Sequence, residues 1–197
     1  MNPIPLNLVF EDQISEYVML KVTDGLRKFS IGYSYSEGGF GYIKNNINGF
    51  NEASKGCPFF ILTDLDVQDC APNLIKSWIN IPISRNLLFR VAVREVEAWL
   101  LADIEGFSTY IGVSPIHFNA SPEQIGNPKS ELFRVVSRSR KKQIKQDILP
   151  KDRFARIGPN YNERLGEFVL NYWDVNRAMH RSTSLKRTIH CLATFQI

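Results

Sequence analysis

Three apolar runs in this chain end in acid. Leu6–Phe10 runs into Glu11 and Asp12, Phe59–Thr63 into Asp64-Leu65-Asp66, and Leu87–Val93 into Arg94-Glu95-Val96-Glu97. In an extended chain, residues i and i+2 point to one side, so Asp64 and Asp66 can address a single point. Glu95 and Glu97 repeat that geometry if the strand continues through them. If a helix begins at 95 instead, they diverge and one alone faces a site. Ligands of an open α/β sheet bind outside the carboxyl ends of its strands. Carboxylates gathered there repel one another unless a cation holds them, and a hard cation such as Mg²⁺ or Mn²⁺ takes oxygen ligands of this kind.

Each of these acids also has an ordinary reading. Asp favours polar turns after strands. Ser15 reads as a helix N-cap, with Glu16 a first-turn acid that the helix dipole favours. The same argument makes Glu97 an exposed acid at a helix start, and Asp69 a cap for the helix that follows it. Glu11 is harder to read that way, because it sits on the strand end rather than in the helix.

The elements that must position these acids alternate. Strands are expected near 6–10, 31–35, 58–63 and 87–93, with helices near 14–29, 42–53 and 72–79 between them. Ile14, Val18, Val22 and Leu26 mark the first helix at four-residue spacing, and Gly38-Gly39-Phe40-Gly41 breaks the chain before the second. Such alternation predicts parallel βαβ units. From Glu95 onward the pattern turns helical, with Trp99 and Leu100 facing a core. A long loop over 114–128 is followed by helices near 129–139, 163–172, 174–181 and 184–194. Asn160-Tyr161-Asn162 and Ser182-Thr183-Ser184 read as helix-capping segments. The fold class is α/β: a small parallel sheet flanked by helices, with a helical C-terminal part.

Charge divides the same way. Residues 1–105 hold 9 basic and 13 acidic side chains, whereas residues 106–197 hold 15 basic and 7 acidic. Arg134, Arg138, Arg140, Lys141, Lys142 and Lys145 form the densest basic cluster. Arg134, Arg138 and Lys141 or Lys142 recur at three- and four-residue spacing and can share a helix face suited to phosphates. A polyanion could be bound by the second half and presented to metal in the first. A solvated pair of oppositely charged faces accounts equally well for charge alone.

Several chemistries are excluded. Cys57, Cys70 and Cys191 form no CxxC, and the three histidines show no zinc spacing. There is no P-loop and no Gly-x-Ser-x-Gly, so the chain has no ATPase motor of its own. No apolar stretch approaches the roughly 20 residues of a membrane span, and the start has no secretory-signal pattern. With three cysteines read as reduced thiols, a cytoplasmic location is expected.

An acid after the first strand, an Asp-x-Asp after a later one and the alternation between them resemble a Toprim domain. That is the Rossmann-like metal-binding fold of topoisomerases, primases and overcoming-lysogenization-defect (OLD) nucleases. Glu11 matches the family's first-motif glutamate, and Asp64 and Asp66 its Asp-x-Asp. Arg94–Asp103, Asn127-Pro128-Lys129 and Gly158–Asn162 resemble segments of a DUF4276-like group of Toprim-related bacterial proteins, which often accompany defence ATPases. The chain departs from the Toprim pattern at Asp12, where the family carries Gly; Asp can visit the same backbone region at some cost. In OLD nucleases further acids come from the first helix and a third strand, and Glu16 and Glu95 or Glu97 are the nearest matches. Lys129 is the nearest match to a lysine that assists there.

The resemblance implies a Toprim-like catalytic core over 1–104 and a basic helical part over 105–197. It implies a Mg²⁺- or Mn²⁺-dependent phosphodiesterase, most simply a nuclease, with Asp64, Asp66, Glu95 and Glu97 holding metal. Glu11, Glu16 and Lys129 would assist the chemistry, and the basic cluster would hold nucleic acid. A defence ATPase is the implied partner, self-association is left open and a membrane is not expected. The competing expectation is a non-catalytic Toprim-like module that binds nucleic acid or a partner, which Asp12 favours.

Overall fold

A computed structural model describes residues 2–197. The described chain divides into two compact units: the chain up to Val93 together with Lys186–Ile197, and Arg94–Leu185.

The first unit is built on β1 (Ile4–Val9), β2 (Phe29–Tyr35), β3 (Phe59–Asp64) and β4 (Leu87–Ala92). All pairings are parallel, in the order β2-β1-β3-β4. This is the Rossmann-like sheet expected from the alternation. Helices α1 (Gln13–Leu26), α2 (Gly39–Ala53) and α3 (Ala71–Trp78) connect the strands. Alternate strand residues point to opposite faces. Val9, Phe59, Ile61, Phe89 and Val91 form one buried cluster with Ile43, Ile47 and Phe50 of α2 and Leu74 and Trp78 of α3. Leu6, Leu8, Phe60 and Leu62 point the other way and are fully buried, as are Val18 and Met19 of α1. Each such side chain contributes about 1.5–3 kcal/mol on burial.

The order places the switch point between β1 and β3. The chain leaves β1 for β2 on one side and returns to β3 on the other. Gly38 and Gly39, at φ +84° and +58°, turn the chain between β2 and α2 in a region that L side chains avoid.

The second unit holds α4 (Val96–Ala102), α5 (Ile104–Ile111), α6 (Pro128–Val136), α7 (Lys142–Ile148), α8 (Tyr161–Asn171), α9 (Val175–Met179) and the start of α10 (Thr183–Thr194). All seven residues of α4 are buried. Trp99 donates from its indole nitrogen to Ser184 Oγ at 2.7 Å, and Trp173 donates to the Trp99 carbonyl at 3.2 Å. Phe107, Tyr110 and Phe168 pack as an aromatic cluster.

Two local expectations change. α7 carries only Ile144 and Ile148 as buried apolar residues among lysines and glutamines, so its periodicity is too thin to read from sequence. The supposed helix over 129–139 ends at Val136. Ser139 then donates to the Ile111 carbonyl and accepts from Lys141 N at 3.0 Å, an alternative to helical bonding that separates α6 from α7. No helix among the described residues is long and apolar enough to cross a membrane, and the three cysteines form no disulfide.

Candidate functional site

At the switch point of the first unit, Glu11 follows β1 and Asp64 closes β3. The Glu11 carboxylate lies across the end of β3. Its Oε1 accepts from the Thr63 hydroxyl and from the Asp64 backbone N–H at 3.1 Å. Burial raises its proton affinity above that of an ordinary glutamate, the two hydrogen bonds oppose the rise, and the charges of Asp66 and Asp12 add to it. Two acids distant in sequence, Glu11 and Asp66, are thus brought close at the switch point. Leu65 between the aspartates is buried, and its N–H donates to the Ala92 carbonyl at 2.9 Å. This anchors the turn that displays Asp64 and Asp66. Asp66 is exposed and sits in the left-handed region at φ +50°, which Asp tolerates better than most residues.

Asp12 is not strained in the way the departure from glycine implied. Its φ of −146° is extended, and its side chain accepts from Ser15 N at 2.8 Å as the N-cap of α1. Ser15, expected to be the cap, is buried inside the helix. Glu16 is a first-turn acid, as expected, with no side-chain hydrogen bond or ion pair among the described residues. Asp69 is exposed, and Cys70 stands at the N-cap of α3 without a side-chain cap bond.

The second unit carries the other expected acids. β4 stops at Ala92, Glu95 is the N-cap of α4 and Glu97 lies in its first turn, so the pair does not continue a strand. Glu97 is also not an exposed helix-start acid; it is 1% exposed. Its Oε1 accepts from the Tyr161 hydroxyl at 2.7 Å and pairs with Lys129 Nζ at 3.2 Å. Its Oε2 is buried without a hydrogen-bond partner. Glu95 Oε2 accepts from the Lys129 backbone N–H at 2.9 Å. Lys129 thus touches both glutamates, through its backbone and its ammonium. Its ammonium also lies over the Tyr161 ring, 6.0 Å from the centroid. Tyr161 was missed as a site residue because nothing local marks a tyrosine whose partner is 64 residues away.

The basic cluster separates into engaged and displayed members. Arg134 makes two hydrogen bonds of 2.6 Å to Glu131, and Lys141 Nζ donates to the Tyr110 carbonyl at 2.6 Å. Arg138, Arg140 and Lys142 are exposed, and Lys145 is partly buried. These residues are spread over α6, the intervening segment and α7, so they do not share one helix face.

Among the described residues, no group of three or more His, Cys, Asp or Glu side chains stands in metal-holding geometry. Mg²⁺ needs less, since it keeps several waters and is commonly bound by one or two carboxylates plus substrate phosphate. Glu11, Asp64 and Asp66 at the switch point are oxygen donors of the type such a cation takes. The buried, unpartnered Oε2 of Glu97 is a separate oxygen donor suited to a cation.

No family model matches the chain, and no curated protein matches it. Among solved structures, the C-terminal region of the Burkholderia pseudomallei OLD protein is similar over 98% of this chain and 98% of that chain, with a TM-score of 0.48 and 13% identity.

Proposed function

We propose that the chain is a Toprim-like, divalent-metal-dependent phosphodiesterase, a nuclease acting on nucleic acid. It would work in the cytoplasm beside a partner ATPase of a bacterial defence system. The observation that supports this is the meeting of Glu11 with the Asp64-Leu65-Asp66 turn at the switch point of a parallel sheet. Asp64 and Asp66 would hold Mg²⁺ or Mn²⁺. The bound cation would supply charge stabilisation to the phosphate and lower the proton affinity of water. Glu11 keeps Oε1 on Thr63 and Asp64, which fixes the carboxylate, and Oε2 would take water or cation. In the second unit, Lys129 and Tyr161 hold Oε1 of Glu97, and Oε2 would serve as an oxygen ligand of a second, separate site. Arg138, Arg140 and Lys142 would contact phosphates.

The competing reading is a binding module without catalysis. Cleavage of labelled single- and double-stranded DNA and RNA, with Mg²⁺, Mn²⁺ or chelator, decides between the two. Metal-dependent cleavage lost in an Asp64→Asn/Asp66→Asn variant supports the nuclease. Nucleic-acid binding without cleavage under any condition, partner ATPase included, supports the module.

A further inference from the structure

We propose that the loop joining α7 to α8 is a single-stranded nucleic-acid contact, in which Phe154 stacks on an unpaired base and Lys151, Arg153 and Arg156 take the adjoining phosphates. The inference rests on the nucleic-acid reading above and adds a site that the basic cluster of 134–145 does not include.

The loop is closed at its base. Gly158 N donates to the Ile148 carbonyl and Asn160 N to the Asp147 carbonyl, both at 3.0 Å. The strands of the loop meet so closely at Gly158 that a Cβ there would lie 2.3 Å from the Asp147 carbonyl oxygen. Asp147 is 2% exposed and ties the base further. It accepts from Asn160 Nδ2 and Gln143 Nε2 at 2.9 Å and from Arg164 Nε at 2.7 Å. Compact loops with ends held together in this way frequently carry function.

The tip displays what a single strand needs. Phe154 is 82% exposed, and the Arg153 guanidinium lies over its ring at 4.9 Å from the centroid. Lys151, Arg153 and Arg156 are all exposed, with no carboxylate partner among the described residues. Asp152, the one acid in the loop, spends an oxygen on the Phe154 and Ala155 N–H groups at 2.8 and 3.1 Å, which fixes the turn that projects the ring. A ring with a cation on one face and water on the other can extend its stack with a base, and flanking cations can follow the backbone. A duplex offers no unstacked base to it, so the ligand is a single strand or an unpaired end. A membrane surface would ask for a larger apolar wedge than one phenylalanine.

The test uses the full chain with fluorescein-labelled dT20, the matching 20-base-pair duplex and vesicles with a third of their lipid anionic. Wild type is compared with Phe154→Ala, Phe154→Trp and Lys151→Ala/Arg153→Ala/Arg156→Ala. Removal of an exposed ring leaves the core intact, which melting curves verify. Phe154→Ala should weaken dT20 binding about 5- to 150-fold, the range for one base on one ring. Phe154→Trp should preserve binding, with indole fluorescence quenched by dT20. The triple variant should lower the slope of log K against log salt by about 2, at ~0.7 per single-strand phosphate. Binding of dT20 by Phe154→Ala within twofold of wild type overturns the inference. So does vesicle binding that depends on Phe154 while dT20 binding does not. If wild type cleaves nucleic acid and Phe154→Ala matches it in both binding and cleavage, the loop inference fails and the nuclease reading stands. If wild type binds neither oligonucleotide, both fail.

Discussion

The backbone N–H of Asp64 donates to the carboxylate of Glu11 at 3.1 Å, tying the end of β3 to the end of β1 where the strand order turns back. The bond brings the carboxylate of one strand to the Asp-x-Asp turn of the other, where a cation is proposed to bind. A cation held by Asp64 and Asp66 binds the folded chain and not the unfolded one. At 100 times its dissociation constant, Mn²⁺ should therefore raise wild-type stability by about 2.7 kcal/mol. Thermal melts with and without Mn²⁺ should show that rise in wild type and not in Asp64→Asn/Asp66→Asn. Equal Mn²⁺ responses in the two proteins would remove this site.

The acid limb of stability should run through Asp147. The Arg164 guanidinium, followed by Asn160 and Gln143, holds its carboxyl below the ordinary aspartate range. A carboxyl with a depressed folded-state pKa adds stability above its unfolded value, and that stability is lost as pH falls through the folded value. Asp147→Asn should lower stability near pH 7 by about 1.5–3 kcal/mol, typical of hydrogen bonds to a charged group. The difference from wild type should shrink steadily below about pH 4. Denaturant melts at several pH values measure it, and a pH-independent gap would contradict the assignment.

The buried pair of Glu97 and Tyr161 should behave as one unit. Tyr161→Phe removes a 2.7 Å bond to a carboxylate that already has one oxygen unpartnered, and should cost about 1.5–3 kcal/mol. In a Glu97→Leu background the same change should cost little, because the acceptor is gone. A double-mutant cycle reads the coupling directly. Additive effects would mean that the bond does not hold Glu97.

Arg134 and Lys141 should contribute less to nucleic-acid binding than their neighbours. Their charges already meet Glu131 and the Tyr110 carbonyl. Charge reversal of Arg138, Arg140 and Lys142 should lower the salt slope by roughly 0.7–0.9 for each phosphate that is no longer neutralised. Arg134→Ala/Lys141→Ala should leave the slope close to wild type. A larger change from the second variant would reverse this division.

The pattern of what could be read in the sequence is physical. β1, β3 and β4 were readable because they are short apolar runs, and parallel strands buried on both faces look that way. Glu11 and the Asp-x-Asp turn followed from those ends. Glu95 and Glu97 were harder, since their geometry depends on whether strand or helix crosses residue 95, and the helix begins at Val96. Side-chain partnerships across long separations left no local trace: Tyr161 with Glu97, and Arg164 with Asp147. The shared face expected of the basic cluster failed at Ser139, whose hydroxyl has a better partner in the Ile111 carbonyl than in a continued helix.

Glu11 decides whether the switch-point crevice is catalytic. It follows β1, and its hydrogen bonds fall on Oε1, to Thr63 and Asp64. Gln in its place can accept both bonds while losing the charge, so the local geometry should survive. If Glu11 binds cation or takes a proton from attacking water, Glu11→Gln should lower Mn²⁺-dependent cleavage by at least about 100-fold, the lower end for a positioned acid or base. Its melting temperature should not fall. Glu16→Gln, in the first turn of α1, should cost much less if that acid serves only the helix dipole. Single-turnover cleavage of labelled DNA and RNA by the three folded proteins measures both expectations. Cleavage by Glu11→Gln at the wild-type rate would take the chemistry away from this crevice.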